Sequence, residues 1–111
     1  MILYPSTIKI VPLSVNAAWK GRRFKTQEYK NYEKELLFTL PKILIPKPPY
    51  RIYLEFGMSN AASDFDNPTK QFVDILSKKY KFNDKDIYEA HIKKVVVPKG
   101  QEYITFEISP L

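Results

Sequence analysis

Apolar residues recur along this chain with two periods, every second residue in some stretches and every third or fourth in others. Residues 5–12 alternate, with Ile8 and Ile10 on one side and Lys9 on the other, which predicts a strand ending near Pro12. Over residues 26–40 the period lengthens. Tyr29, Tyr32, Leu36 and Leu40 fall on one helical stripe, opened by Thr26 as a cap and stopped by Pro41. Residues 41–49 are proline-rich, too stiff for a helix, and read as a connection with hydrophobic anchors. Alternation returns over 50–57, where Ile52, Leu54 and Phe56 oppose Arg51, Tyr53 and Glu55. Phe72, Leu76 and Tyr80 then mark a second helix over about 67–79.

Residues 86–97 predict a third strand, with Tyr88, Ala90, Ile92 and Val96 inward and Glu89, His91 and Lys93 outward. His91 is thereby an exposed strand residue rather than a catalyst. Residues 97–100, with Gly100, predict a hairpin turn. The last strand, 102–109, buries Ile104, Phe106 and Ile108. The order is β-α-β-α-β-β, an α+β fold in which two helices cover one face of a small mixed sheet and the other face stays available. The 111 residues make one domain, 1–111, large enough for a single two-layered core.

The candidate chemistry sits where the second helix begins, in Asp64-Phe65-Asp66-Asn67-Pro68-Thr69-Lys70. Two carboxylates two residues apart can converge on one cation while Phe65 points elsewhere. Asp66 or Asn67 also suits a helix N-cap, and Pro68 the first turn. Capping alone would explain both acids. If Asp66 caps the helix, Lys70 lies one turn on and Asp74 a turn beyond. An EF-hand calcium loop is excluded, because its fifth and sixth positions would be Pro68 and Thr69. A phosphatase-type Asp-x-Asp fits poorly, because the polar loop 57–63 separates the pair from the strand.

Composition narrows the choice. No cysteine is present and His91 is the only histidine, so a metal site must be oxygen-rich, which favours magnesium or manganese over zinc. Hydrophobic content of 44% predicts a folded chain. No apolar run is long enough to span a bilayer and no leader pattern opens the chain, so a cytoplasmic location is expected. The net charge of +6 points to a polyanionic partner, and it is unevenly spread. Lys20, Arg22, Arg23 and Lys25 crowd one loop with Trp19 and Phe24, whereas six of the twelve acids (Asp64, Asp66, Asp74, Asp84, Asp86, Glu89) fall within residues 64–89. Cations for phosphates and flat rings for bases make residues 13–25 the candidate DNA-contacting loop. An ordinary solvated loop anchored by Trp19 is the alternative. Asp84 would approach the first acids if the strand after it and the strand before Asp64 were antiparallel neighbours, so a three-carboxylate site is permitted.

Taken together, Pro12-Leu13-Ser14-Val15-Asn16 leading into the basic loop, Asp64-Phe65-Asp66-Asn67 with Lys70 and Asp74, and Asn83-Asp84 before a strand resemble the RusA-type Holliday junction resolvases. The resemblance covers about residues 8–108. It implies a homodimer that binds four-way DNA junctions and nicks two opposed strands symmetrically with magnesium or manganese, in DNA recombination and repair. It implies Asp64, Asp66 and Asp84 as metal-binding catalytic aspartates and Lys70 as a catalytic lysine. Asn16, Lys20, Arg22, Arg23 and Lys25 are the expected DNA contacts. Several relatives carry two adjacent aspartates where this chain has Asn83-Asp84, which leaves open whether Asp86 shares the ligand role. The rival readings are a non-catalytic branched- or duplex-DNA-binding protein and a protein-interaction subunit.

Overall fold

The computed structural model describes residues 5–14, 18–20 and 24–111, with the backbone alone at Trp19, Lys20 and Phe24. Among the described residues, six strands and two α-helices follow one another as β1 (Ser6–Ile8), β2 (Trp19–Lys20), β3 (Phe24–Lys25), α1 (Gln27–Thr39), β4 (Tyr50–Met58), α2 (Thr69–Tyr80), β5 (Ile87–Val96) and β6 (Tyr103–Pro110). A 3₁₀ turn, Asp84–Asp86, precedes β5. The main elements keep the predicted β-α-β-α-β-β order. The candidate DNA-contacting loop holds in addition a small antiparallel ribbon, β2 with β3. No helix among the described residues is long and apolar enough to cross a membrane.

The four-stranded sheet runs β1-β6-β4-β5. At its centre β4 and β6 are antiparallel and in register so that Ile52 faces Ile108, Leu54 faces Phe106 and Phe56 faces Ile104. All six side chains are buried, and each contributes about 1.5–3 kcal/mol by leaving water. The helices close over this face. Thr26 caps α1, its side chain accepting from the Tyr29 amide at 3.1 Å, and Tyr29, Tyr32, Leu36 and Leu40 form the predicted buried stripe. From α2, Phe72 stands edge-on to Phe56 at 6.0 Å and to Phe106 at 5.9 Å between ring centres.

Two expectations fail at β5. It is parallel to β4, and β6 lies on the far side of β4, so residues 97–102 cross the end of β4 rather than forming a hairpin. A strand that returns through a helix arrives parallel to its predecessor, and β5 takes the edge because its inward row includes Lys94 and Ala90, a poor fit to a central position. The strict alternation is also broken. Tyr50 pairs with Ile87 and Arg51 with Glu89, leaving Tyr88 as the extra residue of a bulge and 70% exposed. Ile87 takes the inward place expected of Tyr88, and Val96 at the other end of the edge strand is likewise exposed.

Among the described residues no helix or strand covers the opposite face of the sheet. There Glu55 accepts from the Tyr53 hydroxyl at 2.5 Å and from the Tyr103 hydroxyl, and the Tyr103 ring lies against Gly57. A Cβ at Gly57 would clash with that ring. Gly57→Ala should therefore displace Tyr103 and cost about 1–3 kcal/mol, the usual cost of overpacking, read as a lower urea midpoint. Hydrogen bonds from Tyr103 and then Tyr53 hold the Glu55 carboxyl below its ordinary value of 4.5, while Glu55 pushes the Tyr103 hydroxyl up to about 12. A lowered acid contributes stability above its unfolded value and loses it as pH falls through the folded one. The stability gap between wild type and Tyr103→Phe should thus be present near neutrality and close as the pH falls below about 4.5. A gap constant across that range would refute the coupling.

Candidate active site

The aspartate stretch follows β4 as a run of backbone turns. The Asn67 amide donates to the Asp64 carbonyl at 3.2 Å and the Thr69 amide to the Asp66 carbonyl at 3.1 Å. These carbonyls do the work assigned above to a side-chain cap. Pro68 occupies the N-cap position of α2, and no side chain caps the helix, so the expected Asp66 or Asn67 cap does not form. Proline fixes the entry to the helix without needing an amide donor, which leaves the Asp66 carboxylate unspent on the backbone.

A residue outside the predicted set braces this loop. Lys94 pairs with Phe56 and so lies on the helix-covered side of the sheet, where its ammonium donates to the carbonyls of Ala61 at 2.8 Å and Ser63 at 2.5 Å. Its signal in the sequence was a cation at an inward position of an otherwise apolar row.

Between α2 and the β4–β5 pair lies a pocket of about 460 Å³. Ile52 and Leu54 of β4 with Ile87, Ala90 and Ile92 of β5 make its apolar floor. Thr69, Lys70, Val73 and Asp74 of α2 form a wall, and Asp66 and Asp84 also line it. The structure thus brings Asp66, Lys70 and Asp84 of the predicted catalytic set to one cavity and adds Asp74. Asp64 is exposed and does not line that cavity. The antiparallel arrangement that would have gathered the acids is absent: Asp64 follows the end of β4, which pairs with the end of β5, whereas Asp84 precedes the start of β5.

The electrostatics tie the pocket together. Burial pushes the Asp74 carboxyl above its ordinary value; Lys70 pulls it back, Asp84 pushes it further up, and Lys25 pulls it down. Lys70 stands 3.8 Å from Asp74 one helical turn away. The donor set is made of carboxylates, the chemistry a hard divalent cation requires. Among the described residues no three acidic or histidine side chains are gathered closely enough to enclose an ion.

Of the expected DNA contacts, Asn16, Arg22 and Arg23 lie outside the described residues, and Lys20 is described only as backbone of the β2–β3 ribbon. The Lys25 ammonium is bonded to Glu33 at 3.0 Å and sits 4.9 Å from the centre of the Tyr29 ring. Glu33 also meets Lys78 at 3.4 Å, so it binds the ribbon and α2 to α1. Burial works against the Glu33 charge, but Lys25 and Lys78 together keep its carboxyl below the ordinary value. Asp86 belongs to the 3₁₀ turn beside Asp84, where the Asn83 side chain accepts from the Lys85 amide at 3.0 Å. Neither the models of known protein families nor the curated proteins match this chain.

Proposed function

We propose that this protein is a metal-dependent endodeoxyribonuclease acting on branched DNA, with the four-way junction as preferred substrate and paired, symmetric nicks as product. One observation carries the reading: Asp66, Lys70 and Asp84 line a single pocket, with Asp74 beside them. Asp66 and Asp84, the two aspartates of the predicted set that line the pocket, would hold magnesium or manganese. When bound, such an ion lowers the pKa of water and offsets phosphate charge. Lys70, 74% exposed at its side chain, reaches outward from the pocket wall, where its charge can meet the negative charge that builds on a phosphate under attack. Asp74 holds that ammonium from one side. The basic loop supplies the sequence-independent grip on the DNA backbone.

A homodimer belongs to the same proposal, because a two-fold substrate cut on opposed strands calls for one site per strand. The rival, a DNA-binding protein without chemistry, draws support from the spread of the acids. A labelled synthetic four-way junction incubated with protein and magnesium, alongside linear duplex and EDTA controls, separates the two. Paired nicks confined to the junction and abolished by EDTA are expected; binding that EDTA does not alter, with no cleaved product, would sink the nuclease reading.

A further inference from the structure

Gln71 is the one polar side chain in the described core, with no exposed surface, although it stands beside the exposed Lys70 at the start of α2. Its amide nitrogen donates to the Leu13 carbonyl at 2.6 Å and to the Asn67 carbonyl at 3.0 Å. Both partners are acceptors, so the NH₂ group must face them, and its orientation follows from chemistry. The amide oxygen is left buried without a hydrogen-bond partner. Close by, the buried Tyr32 hydroxyl approaches the Leu13 backbone without completing a hydrogen bond. A buried acceptor left unpaired opposes folding, and an apolar side chain of the same size would avoid it. Core packing therefore does not explain a glutamine here.

The two carbonyls explain it better. Asn67 belongs to the aspartate turn, next to Asp66. Leu13 leads into the basic segment, whose base is closed by the Ala18 amide on the Ser14 carbonyl and the Thr26 amide on the Ala18 carbonyl, each at 3.0 Å. One side chain thus joins two segments 54 positions apart in the chain (67 minus 13), one at the pocket and the other at the base of the basic segment. We infer that Gln71 is a positioning residue, a tie that fixes Leu13, at the base of the basic segment, relative to the aspartate turn so that DNA gripped by that segment meets the pocket in register. The inference rests on the nuclease reading for its consequence and on the two hydrogen bonds for its geometry.

Gln71→Leu, with Gln71→Met as the less branched second variant, tests it. Either variant removes the unpaired oxygen but also takes the donor away from the Leu13 and Asn67 carbonyls, so its unfolding temperature should stay close to that of the wild type, at or a little below it. Junction affinity should change by less than about threefold, whereas the single-turnover nicking rate should fall about tenfold or more, in line with the on the order of 100-fold lost for a misplacement of about 1 Å. A lower unfolding temperature with an unchanged rate would mark Gln71 as structural only and overturn the tie. Amide hydrogen exchange reads the same tie without cleavage: protection at the hydrogen-bonded Ala18, Asn67 and Thr69 amides should fall in the variants while the β4–β6 amides keep theirs. Unchanged exchange at those amides overturns the tie as well. A wild-type protein that cuts no DNA refutes the nuclease reading, and the exchange measurement then decides the tie on its own.

Discussion

Asp66→Asn should abolish nicking while leaving the fold and DNA binding intact. The substitution removes one charge and keeps the shape of a side chain that lines the pocket. It should not unravel α2, because the helix begins at Thr69 with no side-chain cap and the Asp66 backbone carbonyl, which the variant retains, closes the turn. Loss of activity could then not be put down to a lost cap. The expected fall in single-turnover rate is on the order of 10²–10³-fold, the scale on which removing one preorganised charge-stabilising group acts. Binding to a junction in magnesium should stay within a few-fold, since the acids repel the DNA backbone and the basic loop attracts it. A wild-type cleavage rate in Asp66→Asn would remove Asp66 from the chemistry.

The largest stability loss is expected from Phe72→Ala, about 3–5 kcal/mol, against a total of about 5–15 for a domain of this kind. Phe72 is fully buried and wedged between Phe56 of β4 and Phe106 of β6, so removing its ring leaves a hole where helix meets sheet. Because α2 also carries Lys70 and Asp74, the variant should lose the pocket wall along with the core. Phe65→Ala is the natural control. That ring is 54% exposed in the aspartate turn, and its loss should change stability by no more than about 0.5 kcal/mol. Urea unfolding of both variants measures the difference, and a loss below about 1 kcal/mol in Phe72→Ala would contradict the packing.

What the sequence determined by itself was local. The Tyr29, Tyr32, Leu36, Leu40 stripe, the Thr26 cap and the alternating rows of β4 and β6 are set by the periods of helix and strand, which depend on neighbours a few positions apart. The acids with Lys70 were legible for the same reason, as residue types at short spacing. Tertiary structure decided what depends on distant partners. The parallel pairing of β5 and its bulge at Tyr88 set which of its side chains face inward, and neither is written in the alternation of 86–97. The packing of α2 on the β4–β5 pair put Asp74 on the pocket lining, while Asp64 stayed off it. Proline and two backbone carbonyls made the start of α2, where a side-chain cap was the local expectation. Lys94 under the aspartate loop and Gln71 between Leu13 and Asn67 join segments far apart in the chain, and a contact of that kind exists only once both ends have been folded together.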